Sequence, residues 1–289
     1  MADLEQYASA HESFVELLRS WPRPLLASWL GALTGLDIER IAAVHERTPT
    51  IEIPARVRRA RRAIVDLVLT VHTKGGRTIR LWILEVQLSW DEGKLWDWPR
   101  VTTAFAAESR VETKLLVFMP DPRLRARLRR RGLSNIEPRP TLIEPDQIEL
   151  ICDYDEARRR PHQAIFGAVY HAREDSPIEQ RVAGVRAAFV GMRTLSLRDF
   201  RRYAVLVLKL TPPEVSKRAL AQLRQHDELE DVESEFIEDI ERDGYLYQRV
   251  QELAREHGRQ KGREEGRLEG REEGRLEGRE EGRLEGQVR

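Results

Sequence analysis

The tightest constraint on this chain lies in the run AIVDLVLTVHT (63–73), the turn Lys74-Gly75-Gly76-Arg77 and the run TIRLWILEVQL (78–88). Two β-rich segments around a Gly-Gly pair predict an antiparallel hairpin. With the turn on Gly75 and Gly76, opposed residues carry numbers that add to 151, which sets Asp66 against Glu85. Directly opposed side chains share a face with Cβ atoms about 5 Å apart, and like charges placed so repel. Gln87 points the same way as Glu85, because side chains alternate along a strand. The stretch LWILEVQLSW (81–90) has seven apolar side chains in ten and suits a strand buried on both faces. A carboxylate there is costly unless a cation, a shared proton or an exit to solvent compensates it.

A divalent metal is one such compensation. Two carboxylates, a neighbouring carbonyl or amide oxygen and retained water suit Mg2+ or Mn2+. Zinc fits less well: the seven histidines show no paired ligand spacing, and Cys152 is the single cysteine. His72 lies next to the turn and reads as an exposed strand-end residue.

Around the hairpin the pattern is mixed. Residues 4–19 and 24–33 have helical spacing, and TIEI (50–53) reads as a first strand. After the hairpin, SWDEGKLWDW is an irregular Trp-rich connection, and Pro99 is placed to open a helix through VTTAFAAES. KLLVFM (114–119) reads as a buried strand, Pro120-Asp121-Pro122 leads into an Arg-rich amphipathic helix, and TLIE (141–144) as a final strand. From about residue 154 the pattern is helical, through RRPHQAIFGAVYHA, IEQRVAGVRAAFVGM, LRDFRRYAVLVLKL and PEVSKRALAQLRQ.

The order Asp66, hairpin, Glu85-Val86-Gln87, helix, strand resembles the PD-(D/E)XK nuclease superfamily. Within it, DLVL followed by ILEVQLSWDEGKLWDWP is most similar to the Rpn/YhgA-like transposase group of recombination-promoting nucleases. The resemblance covers residues 10–150 in organisation and rests on three motif positions and their framing. It implies an α/β fold with an αβββαβ core and Mg2+-dependent (or Mn2+-dependent) hydrolysis of phosphodiester bonds in DNA. Asp66 and Glu85 would then hold the metal, with the Val86 carbonyl as a third ligand. Gln87 stands where the superfamily usually has Lys; its carbonyl oxygen can orient a water, but it supplies no positive charge. Lys94, in the connection after the strand, is the candidate to reach back and replace that charge. Glu12 and Glu16 on the first helix are candidates for a further acidic ligand.

The same reading yields nucleic-acid candidates. Trp90, Trp96 and Trp98 flank the expected site and can stack on unpaired bases. Arg58, Arg59, Arg61, Arg62 and Arg100 are candidate phosphate contacts, and RLRARLRRR (123–131) is a second basic run. Net charge is zero, so attraction of the whole molecule to nucleic acid has no support; basic runs are offset by acidic DELEDVESEFIEDIERD (227–243). An alternative is a catalytically inactive nuclease-fold protein that binds DNA or self-associates as a scaffold. RNA as the substrate stays open, since the chemistry does not require one sugar.

The expected organisation is a nuclease-like domain over 1–150, a helical domain over 151–226, an acidic helical linker over 227–261 and a repeat tail over 262–289. The high charged fraction (34%) belongs largely to that extension. GREEGRLEGREEGRLEG repeats an eight-residue unit with Gly at every fourth position. As a helix it gains Glu-to-Arg pairs but loses about 1 kcal/mol at each Gly. It reads as a helical or disordered extension, or as a pairing surface for a homo-oligomer. The single cysteine, taken as a buried small hydrophobe, fits a reducing compartment. The absence of a signal sequence or a membrane-length apolar run points to a cytoplasmic location and no membrane partner.

Overall fold

The computed structural model describes residues 9–53, 61–131 and 136–225, together with Ile237. The repeat tail, most of the acidic stretch, and Arg58 and Arg59 lie outside the described residues. Arg61 and Arg62 are described only as backbone. The protein is α/β, and the elements α1–α9 and β1–β7 belong to one compact unit assigned to Met1–Glu230.

Ser9 and Glu12 form a reciprocal capping box that starts α1 (Ala10–Ser20). Helix α2 (Arg23–Thr34) follows and ends at Gly35, whose φ of 65° is a left-handed cap. The main sheet has the order β1-β4-β5-β6-β7, built from β1 (Ala43–Arg47), β4 (Leu67–His72), β5 (Thr78–Val86), β6 (Glu112–Phe118) and β7 (Thr141–Leu142). Strand β4 runs antiparallel to both β1 and β5, whereas β6 and β7 continue parallel to β5. The connection from β5 to β6 is α3 (Gly93–Ser109), as a parallel pair requires.

The hairpin register is the predicted one. Leu67 pairs with Leu84 and Val68 with Ile83, and the numbers continue to add to 151 as far as Val71 with Arg80. The turn is wider than a two-residue loop: Thr73 donates to the Arg77 carbonyl, and His72 pairs with Thr78 through a register shift. That irregularity sits at the turn, and Gly76 adopts the positive φ (75°) there.

Two readings of the strands are corrected. The run 63–73 is two strands, because the chain leaves β3 (Arg61–Ile64), bends at Asp66 and enters β4. Strand β3 pairs with β2 (Thr50–Ile53) in a separate two-stranded sheet. The first strand of the main sheet is therefore β1, not TIEI. Its AVHER sequence buries only Val44, as an edge strand that turns charged groups to water does.

The sheet is covered on both faces. Trp82 donates to Thr34 on the α2 face, while Val68, Leu81, Ile83, Leu115 and Val117 pack against Trp98, Val101 and Phe105 of α3 and Leu128 of α4 (Pro122–Arg130). Helix α3 begins at Gly93, six residues before Pro99, so Lys94 stands in its first turn rather than in a loop. The helical half comprises α5 (Tyr154–Arg159), α6 (Pro161–His171), α7 (Ile178–Met192), α8 (Leu197–Leu210) and α9 (Pro213–Gln225). Helix α1 packs on α6 and α8, and Gly167 of α6 admits the Glu149 carbonyl to within 2.3 Å of where a Cβ would stand. Among the described residues no helix is long and apolar enough to cross a membrane.

Candidate active site

The bend at Asp66 and the end of β5 meet at one end of the sheet. Asp66 is one residue short of the β4–β5 ladder, so its carboxylate is turned to the neighbouring backbone: Oδ2 accepts the Val86 N–H at 2.7 Å. His11 Nε2, from the first turn of α1, lies 3.2 Å from the same oxygen. Glu85 is fully buried in β5, opposite Val117 of β6. Its Oε1 takes an ion pair from Lys94 and a bond from Gln87 Nε2 at 3.2 Å. Its Oε2 is buried without a hydrogen-bond partner. Gln87 is buried as well, and its backbone N–H donates to the Phe118 carbonyl, which prolongs the β5–β6 pairing past Val86.

The electrostatics follow from this crowding. Burial, and then the nearby Asp66 charge, push the Glu85 carboxyl above its ordinary range, against the pull of Lys94. Burial opposes the charge on Lys94, but the Glu85 carboxylate more than offsets it and the ammonium is held above its ordinary value. The hydrogen bond to Asp66 outweighs the burial of His11 and raises that imidazole too. One ammonium and one imidazole thus serve two carboxylates of unequal exposure.

Asp66 and His11 open onto a pocket of about 400 Å3, lined also by Glu12, Glu16, Arg19 and Arg202. Both glutamates stand beside Asp66 and already have partners. Glu12 accepts the Ser9 N–H in the capping box, and Glu16 pairs with Arg19 and Arg202. The group that α1 brings to Asp66 is His11, which sequence reasoning did not single out. The capping box fixes where α1 begins, and no spacing in the sequence connects residue 11 to residue 66.

The three tryptophans separate. Trp98 is 3% exposed in the core against the sheet and is not available for stacking. Trp90 lies beneath Arg127, whose guanidinium carbon is 4.1 Å from the ring centroid. Trp96 is 70% exposed on α3, and Arg100 is exposed one turn further on. Cys152 is also exposed, which corrects its reading as a buried small hydrophobe.

Among the described residues no group of three or more His, Cys, Asp or Glu side chains is gathered to hold an ion. What the site offers is a pair of carboxylates, one with a buried unpartnered oxygen, beside the backbone of Val86. That donor set fits a hard cation that keeps most of its water, as Mg2+ does, and does not fit a fully protein-ligated zinc. In comparisons with known proteins, no family model, no curated protein and no solved structure matches this chain.

Proposed function

We propose that the protein is a Mg2+- or Mn2+-dependent DNA endonuclease of the recombination-promoting, PD-(D/E)XK type. The observation that carries the reading is the unpartnered Oε2 of buried Glu85 beside Asp66, with Lys94 on the other oxygen. The order α1, β1, β4, β5, α3, β6 supports it, since it follows the αβββαβ arrangement that the resemblance implies.

In this reading Asp66 and Glu85 would hold the cation, with the Val86 carbonyl as a further oxygen. When bound, such an ion would polarise a scissile phosphate and lower the pKa of a water. Lys94 contributes the ammonium that Gln87 cannot, and at rest it neutralises Glu85. Gln87 commits an amide hydrogen to Glu85 and keeps its carbonyl oxygen as an acceptor for water. His11 fixes the orientation of Asp66 through Oδ2.

Nicking of supercoiled plasmid with Mg2+ or Mn2+, with EDTA as the blank, tests the reading. Cleavage is expected in wild type and lost in both Asp66→Ala and Glu85→Ala. Cleavage that survives both substitutions would show that this pair is not the site. A folded wild type that binds DNA but cuts neither DNA nor RNA under either metal would move the protein to the non-catalytic binding class.

A further inference from the structure

The carboxylate end of the sheet is also where α4 begins. Strand β6 ends at Phe118, the residue that receives the Gln87 N–H, and Asp121 caps α4 three residues later. Arg125 locks this junction: 2% exposed, it donates to the Met119 and Pro120 carbonyls and pairs with Glu144 and Glu174. Leu124 and Leu128 turn to the core on the α3 side of the sheet. Since a helix turns once in 3.6 residues, Arg123, Arg127 and Arg130 then share one outward face, at i, i+4 and i+7.

The charge on that face is not balanced. Arg125, Arg129 and Arg131 have carboxylate partners in Glu174, Glu144 and Glu92. Among the described residues no carboxylate pairs with Arg123, Arg127 or Arg130, and all three are exposed. Arg127 is held in place by the Trp90 ring, a contact that fixes its position without neutralising its charge. Trp90 is three residues beyond Gln87, so the ordered guanidinium of α4 rests on the segment that leaves the site.

We infer that the Arg123–Arg127–Arg130 face of α4 tracks the phosphate backbone of the nucleic acid, beside the Asp66–Glu85 end of the sheet. Seven residues of helix span about 10 Å, close to three nucleotides of a strand at about 3.4 Å each. Three arginines with no internal countercharge and a rigid helix to carry them match that polyanion. The inference rests on the proposed function for the class of ligand only; cleavage is not needed for it.

The test is therefore a binding measurement in EDTA, where no metal-dependent cleavage occurs. Anisotropy of a fluorescein-labelled DNA duplex is followed as potassium chloride is raised, for full-length wild type, for Arg123→Gln/Arg127→Gln/Arg130→Gln and for the matching triple Lys variant. Loss of three phosphate contacts lowers the log–log salt slope by about 2.7 in the Gln variant, and the Lys variant keeps the wild-type slope. An unchanged slope in the Gln variant overturns the inference, as does a wild type that binds neither duplex nor single strand. A third overturning result is a labelled peptide of residues 227–243 that binds wild type and not the Gln variant, while DNA binding is the same in both. The face would then be a receptor for an acidic peptide. Whether Asp66 and Glu85 cut DNA is read separately by the plasmid assay; a changed or unchanged salt slope leaves that reading where it stands, and only a wild type that binds no DNA counts against both.

Discussion

Two buried charges, Glu85 and Arg125, sit at the same end of the sheet and are treated differently. Arg125 donates to two carbonyls and meets two carboxylates, so its charge and its hydrogen-bonding capacity are both used. Glu85 is more deeply buried, has one cation, and leaves Oε2 with nothing. A satisfied buried ion holds a junction together, and an unsatisfied one is a cost that structure alone does not repay. On the proposed function, Glu85 is the working group and Arg125 the architectural one.

That contrast can be broken by measuring stability. Arg125→Met is expected to have the largest effect, about 3 kcal/mol in urea unfolding, because the Met119 and Pro120 carbonyls lose their donor in a buried place. A loss below about 1 kcal/mol would mean that water replaces the guanidinium and that the junction is not held by it. Lys94→Met is expected to cost about 2 kcal/mol, less than a fully lost ion pair because Glu85 can take up a proton. The double variant Glu85→Gln/Lys94→Met should recover most of that loss in a double-mutant cycle.

Glu85→Gln sharpens the comparison from the other side. The amide needs no countercharge and Lys94 is partly exposed, so stability should stay within about 1 kcal/mol of wild type while nicking is lost. Its pH profile carries the sign. A carboxyl raised above its ordinary value of 4.5 in the fold binds more protons folded than unfolded, so wild-type stability falls as pH rises from 4.5 through the folded value. Chemical denaturation across that window should show the fall in wild type and a flatter profile in Glu85→Gln.

The smallest effect is expected at His11. Its folded value is raised above 6.5 by Asp66, so its contribution is complete below 6.5 and fades as pH rises through the raised value. His11→Gln should remove that fade and change little else in the denaturation midpoint. A slope that persists in His11→Gln would assign it to another group.

Much of this was legible because strand periodicity is a strong local signal. The hairpin register, and with it the meeting of Asp66 and Glu85, followed from alternation and a Gly-Gly turn even though the turn has a different shape. Helices α7, α8 and α9 were equally plain, α7 as an apolar run and α8 and α9 as apolar stripes, each opened at a Ser or Pro. Contacts between distant segments were not legible. Strand β1 gains its place from β4, about 25 residues away, and one buried valine is too weak a mark to announce it. The division of β3 from β4 was hidden because AIVDLVL has no Gly or Pro to mark a break; the pairing of β3 with β2 reveals it. Trp96 and Trp98 look alike in sequence, and the earlier start of α3 is what sends one to solvent and the other into the core.

The irregular turn at Thr73–Arg77 has a practical consequence. The hairpin holds its pairing through the buried faces of β4 and β5, and the register shift next to the turn takes up the difference in length. Loop length costs little once the strands are specified. A peptide tag or a fluorophore site spliced between Lys74 and Arg77 would therefore sit at the opposite end of the hairpin from the carboxylates, a handle for immobilising the protein with that end left open to its ligand.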